Sequence, residues 1–234
     1  MPISKLNKPA PSHVLKRLTA ANGFVNPDSL NAIGFGGEQL KRAILATYRL
    51  LDRIDATLIE DGVEPLCQVV ELANLSSMIG NIFGAELAKC SNGLYRRNGP
   101  HKFPDLLPAG AGATEHGIEI KMAMNRNKPK GHLVKPGHYL TCRYILIDAE
   151  GGVITEKADK PKADKPVFWE IRTGFLTEQH FNVSNTAGDS GKTAVVNEDG
   201  MKSLHIVYVD LDMFPGSQRG PAWAACKALV SARD

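Results

Sequence analysis

Between Gly37 and Gly62, the apolar residues Leu40, Ile44, Tyr48, Leu51, Ile54 and Leu58 recur three or four positions apart, forming one stripe of a helix that a glycine closes. A second helix is predicted from Pro65, whose fixed φ suits a first turn, through LCQVVELANL. A third covers SMIGNIFGAELAKCSNG, capped by Ser76 or Ser77 and stopped by Asn-Gly. Beyond residue 100 the period shortens. FPDLL, GIEIKMA, YLTCRYILI, VFWEIRTGFL and LHIVYVDL are short runs rich in β-branched and aromatic residues, broken by glycine, proline and asparagine, and each predicts a strand. Pro221 opens a terminal helix. Helices, then a mixed or antiparallel sheet, then a helix define an α/β or α+β chain. The expected organisation is a helical region over 1–75 and a core over 76–234 within one domain.

Tandem KADKP copies, Lys157–Pro161 and Lys162–Pro166, combine proline with alternating charge and predict a wet surface loop between two strands. Hydrophobic residues at 43% and charged residues at 23% indicate a globular protein rather than a disordered or fibrous one. The net charge of +3 permits a nucleic-acid partner without demanding one. Cys67, Cys90, Cys142 and Cys226 include no CxxC pair, MPISKLNKPAPSHVLKRL lacks the apolar centre of a secretory signal, and no run is long and apolar enough for a bilayer. The expectation is a cytoplasmic protein with reduced thiols and no membrane contact.

The chemistry concentrates in FPDLLPAGAGATEHGIEIKMA, from Phe103 to Ala123. Pro104 suits a strand's start, AGAGA makes a permissive turn, and GIEIK returns as a second strand. Residues two apart in a strand share a face, so Glu119 and Lys121 project together while Ile118, Ile120 and Met122 face the core. Asp105 and Glu119 offer the hard oxygens that Mg²⁺ prefers, with a lysine beside them. The pattern Pro104-Asp105 followed by Glu119-Ile120-Lys121 resembles the PD-(D/E)xK nuclease superfamily, which includes most type II restriction endonucleases. That resemblance implies a restriction-endonuclease-like core. It also implies that Asp105, Glu119 and the Ile120 carbonyl hold Mg²⁺ and that Lys121 positions or activates the attacking water. A further acid on a preceding helix is implied as well, Glu86 or, in competition with it, Glu71.

Basic loops bracket this segment. Arg96, Arg97 and Lys102 precede it; Asn125, Arg126, Lys128, Lys130 and Lys135 follow and suit phosphate contacts. Asn125, Asn127, His132 and His138 carry groups able to meet base edges or sugars. The implied activity is Mg²⁺-dependent hydrolysis of double-stranded DNA at a short site, by a homodimer whose symmetry matches that of its target. A repair or recombination nuclease of the same superfamily is the alternative, and a DNA-binding protein that does not cut is a further one. Two rival sites are weaker. His132, His138 and Cys142 match no recurring zinc spacing. Gly191-Lys192-Thr193 copies the end of a phosphate-binding P-loop and would make the protein a P-loop NTPase, a lesser alternative, but Thr186 stands where its first glycine belongs, and the loop should lead from a buried strand into a helix.

Overall fold

The computed structural model describes residues 17–100, 102–131, 134–155, 157–184 and 193–232. Its helical part comprises α1 (Pro27–Asn31), α2 (Gly37–Glu60), α3 (Leu66–Val69) and α4 (Leu72–Cys90). In α2 the expected stripe is the buried one, with Leu40, Ile44, Tyr48 and Leu51 almost fully enclosed, while Ile54 and Leu58 are half-buried. Gln39 reaches back to the Gly36 amide at 2.7 Å and satisfies one of the free donors at the helix start. Gly62, at φ +78°, closes the helix where a side chain would be strained.

The next helices differ from the sequence expectation. The turn begun after Pro65 stops at Val69, Val70 and Glu71 are extended, and α4 starts at Leu72 rather than from a serine cap. Ser76 and Ser77 therefore lie inside α4. The break has a tertiary cause: the Gln68 carbonyl, which a continuing helix would give to residue 72, accepts from Lys160 Nζ at 2.9 Å instead. The Asn-Gly stop is present as expected, with Asn92 and Gly93 both at positive φ.

The strands are β1 (Tyr95–Arg97), β2 (Leu106–Pro108), β3 (Ile118–Met124), β4 (Lys130–Gly131), β5 (Gly137–Ile147), β6 (Val153–Ile154), β7 (Lys165–Leu176), β8 (Phe181–Ser184), β9 (Thr193–Val196) and β10 (His205–Val209). The main sheet runs β1-β2-β3-β5-β7-β10, with β6 on β5. Every pairing in it is antiparallel except β3 with β5. A small second sheet, β4-β9-β8, is antiparallel. The second KADKP copy is not all loop: the first copy makes a 3₁₀ turn, but Lys165 and Pro166 already belong to β7, where the Pro166 carbonyl accepts from the buried Arg17 at 2.9 Å. After β9, a six-residue α5 (Glu198–Ser203) precedes β10, and α6 (Pro221–Ser231) begins at the expected proline.

Strand alternation sorts the sheet into two faces. Tyr144 and Phe168 lie on the face covered by α2 and α4: Phe168 meets Tyr48 and Phe83 at ring distances of 5.7 and 5.2 Å, and Ser76 bonds the Tyr144 hydroxyl at 2.6 Å. By register Ile118, Ile120 and Met122 share that face. Burying each such aromatic or aliphatic side chain contributes about 1.5–3 kcal/mol. The opposite face carries Glu119, Lys121, Tyr139, Thr141, Arg143, Glu170 and Arg172. There Tyr139 joins Leu176, Val196, Met201 and Leu204 in a smaller apolar cluster under the second sheet and α5. Among the described residues, no helix is long and apolar enough to cross a membrane.

Candidate active site

The hairpin that carries the acidic residues separates almost as soon as it forms. β2 and β3 share only the register pair Leu106 with Ile118, so the outer edge of β3 is not covered by β2 from Glu119 onward. Asp105 takes over there: its Oδ2 accepts the Ile120 amide at 2.9 Å. The Asp105 backbone is fixed from its other side, because Asn98 donates its amide to the Asp105 carbonyl and its side chain to the Pro104 carbonyl, each at 2.9 Å. In a strand the N–H and C=O of one residue point to the same edge, so the Ile120 carbonyl opens beside Asp105.

Glu119 and Lys121 lie on the sheet face away from α4, and Lys121 Nζ donates to Glu119 Oε1 at 2.5 Å. Gly131 of β4 makes room for this lysine, since a Cβ there would sit 3.3 Å from Nζ. Glu119 is only 8% exposed, and its second oxygen, Oε2, is buried with no hydrogen-bond partner. Burial raises the Glu119 carboxyl above its usual range; Lys121 opposes the rise, the Asp105 charge adds to it, and the nearby Asp105 backbone amide, which makes no well-formed hydrogen bond to Oε2, opposes it weakly. Two acids are thus held close together, one with an unmet acceptor.

The site opens into a cleft of about 1280 Å³ that follows the outer edge of β3, larger than the roughly 300–1,000 Å³ of small-molecule pockets. Ser76, Ser77, Gly80 and Asn81 of α4 form one wall, and Lys128, Lys130, Gly131, Thr193 and Val195 form the other. Gly80 and Gly84 let α4 approach closely: a Cβ at Gly80 would stand 2.9 Å from Met122, and one at Gly84 2.4 Å from the Arg97 guanidinium.

The structure brings together Asp105, Glu119, Ile120 and Lys121 and sets Lys128 and Lys130 at the rim. Glu86 does not line this cleft; it pairs with Lys89 at 2.6 Å. Glu71 is exposed just before α4 and also stays outside the lining. The helix turns serines and Asn81 to the cleft, because Gly80 and Gly84 set which face of α4 meets β3. Arg96 and Lys102 are exposed. Arg97 donates to Asn81 at 3.2 Å, Arg126 lies 5.6 Å over the Phe214 ring, and Lys135 lies 4.7 Å over the Phe103 ring. Asn125 adopts the left-handed conformation, at φ +56°.

Of the three residues considered for zinc, one falls outside the described residues and the other two are engaged elsewhere. His132 lies outside the described residues, the His138 ring meets Phe175 edge-on at 5.1 Å, and Cys142 is fully buried. Of the P-loop tract, Gly191 and Lys192 also lie outside them, and Thr193 opens a strand rather than a helix. Among the described residues, no group of three or more His, Cys, Asp or Glu gathers. The carboxylates of Asp105 and Glu119 line the cleft beside Ile120, so the oxygens they offer there are hard ones.

One element escaped the pattern reading. Glu170, 2% exposed, bonds Arg143 at 2.9 Å and Arg172 at 2.8 Å on the same sheet face as Glu119. A charge inside an apolar run such as YLTCRYILI or VFWEIRTGFL was the available signal, because buried charges occur in pairs. No family model, curated protein or solved structure matches the chain.

Proposed function

We propose that the protein is a Mg²⁺-dependent endonuclease of the PD-(D/E)xK kind. It cuts double-stranded DNA at a specific short site, in the manner of a type II restriction enzyme acting as a homodimer. The observation that carries this reading is the buried, unpartnered Glu119 Oε2 beside Asp105, at the open edge of β3. An acceptor left unmet in a buried site costs about 1–3 kcal/mol, and an oxygen-seeking cation removes that cost. Asp105, Glu119 and the Ile120 carbonyl fit such an ion, since Mg²⁺ takes one or two carboxylates and completes its shell with water and phosphate. When bound, it supplies Lewis acidity to the phosphate and neutralises developing negative charge.

The chain's own residues do the rest. Asp105 uses Oδ2 to fix the Ile120 backbone, so both acids keep their relative position before substrate arrives. Lys121 spends one of its donors on Glu119 and has others to orient a water and a phosphate oxygen. Lys128 and Lys130 gather the backbone at the rim. The homodimer belongs to the proposal because two symmetric cuts need two such sites.

Incubation of the protein with long duplex DNA and Mg²⁺, followed by sequencing of the fragment ends, should give ends at one recurring sequence. Asp105→Asn and Lys121→Met should each lower cleavage by about 10²- to 10³-fold, the scale for losing one preorganised electrostatic group. Full activity of Asp105→Asn, or cleavage indifferent to Mg²⁺, overturns the assignment.

A further inference from the structure

The segment after β3 is exposed yet held with unusual firmness. Arg126, Asn127, Lys128 and Lys130 all point side chains to solvent. Beneath them, three alternate carbonyls are fastened to the interior. The Asn125 carbonyl accepts from Trp169 Nε1 at 2.9 Å, the Asn127 carbonyl from Arg143 Nε at 3.1 Å, and the Pro129 carbonyl from the Val196 amide at 3.0 Å. Asn125 turns the chain in the left-handed conformation while its amide bonds the Tyr144 carbonyl at 2.8 Å.

The fastening runs deep. Arg143 is held by Glu170, itself almost fully buried, and lies 5.8 Å over the Trp169 ring. Trp169 meets Phe214 edge-on at 5.3 Å, and Arg126 lies over the outer ring. A ladder of cation and ring contacts thus leads from a buried carboxylate to an exposed guanidinium.

Exposed turns need no such support: they ordinarily lie on the surface, mobile and tolerant of change. Burying a charged pair is costly and gives stability poorly compared with apolar packing. What the arrangement provides is one fixed backbone from which Arg126 and Asn127 project. Those are residue types whose forked donors and amide read guanine and adenine edges in the major groove, and such reading depends on preorganised side chains. Asn127 and Lys128 line the cleft. From Lys121 to the end of β3 is roughly 10 Å at 3.3 Å per residue, so bases met at the turn lie about three steps of 3.4 Å from the phosphate at the acids.

Resting on the nuclease reading, we infer that the turn Asn125–Lys128 is the base-reading element of this protein. Arg126 and Asn127 determine sequence specificity, Lys128 contacts phosphate, and Arg143 with Trp169 are positioning residues that act through the turn's backbone. Specificity is then separable from cutting, because none of these side chains belongs to the acidic pair.

The test is selection of bound duplexes from a library with a randomised core, with Ca²⁺ in place of Mg²⁺, using the full chain. Wild type should enrich one short sequence. Arg126→Ala and Asn127→Ala should each lose discrimination at one position by roughly 5- to 150-fold. Lys128→Ala should weaken binding to all sequences alike and lower the slope of log affinity against log salt by about 0.9. Arg143→Gln should blur both positions although neither reading side chain is changed. Trp169→Phe, which keeps the ring packing and deletes only the Nε1 donor, should do the same if Arg143→Gln fails to fold. Enrichment of the wild-type sequence at an unchanged ratio by Arg126→Ala and Asn127→Ala overturns the inference, as does a wild type that binds duplexes without preference. A wild type that binds no duplex at all overturns the nuclease reading itself.

Discussion

Replacing Glu119 by glutamine should make the protein more stable at neutral pH while removing a proposed cation ligand. In the native protein the carboxylate is 8% exposed, with one oxygen bonded to Lys121 and the other unpartnered. The unmet acceptor costs about 1–3 kcal/mol, and the charged bond to Lys121 returns a comparable amount. Glutamine keeps the size of the side chain and an oxygen for Lys121, and it turns an N–H₂ group toward the Asp105 charge where a like charge stood. The expected gain is about 1 kcal/mol, or roughly 2–4 °C in Tm for a chain of this size. The pH dependence follows from the direction of the shift. The folded carboxyl lies above its unfolded value of 4.5, so the wild type carries no penalty below that value, accumulates it as pH rises to the folded value, and keeps it constant above. Urea denaturation of both proteins from about pH 4 to about pH 8 should therefore show no advantage for Glu119→Gln at the acid end and a plateau at the basic end. A variant less stable than wild type near neutrality, or an advantage that does not change with pH, would refute the reasoning.

Two further outcomes follow from the packing. Lys135 has its ammonium over Phe103 and its carbonyl bonded to the Tyr139 hydroxyl at 2.7 Å, so Lys135→Met should leave the salt dependence of DNA binding unchanged, whereas Lys130→Met should lower its slope by about 0.9. Phe83 is fully buried against Phe168 beneath the sheet, so Phe83→Ala should cost about 3–5 kcal/mol in urea denaturation at neutral pH.

The acidic hairpin was legible because strand alternation is local: Ile118 and Ile120 against Glu119 and Lys121 fix which side chains share a face. Helix α2 was legible for the same reason, through its stripe. The break before α4 was not, since it depends on Lys160 taking the Gln68 carbonyl from far along the chain. Nor was the cleft wall, because Lys130–Gly131 is too short to leave a period and becomes a strand only by pairing with Ala194 and Val195. Glu86 illustrates the limit. A glutamate on the right helix is visible in sequence, but the face it occupies is set by the glycines at 80 and 84, which seat α4 on Met122 and Arg97.

The central claim is that Asp105 and Glu119 together make a divalent cation site. Electron paramagnetic resonance reads free Mn²⁺ directly, and Mn²⁺ shares the preference of magnesium for octahedral oxygen ligands. Titrating it with the wild type should deplete the free signal, and titrating it with Asp105→Asn or Glu119→Gln should not. Equal depletion by wild type and both variants, or none by the wild type, would contradict the account.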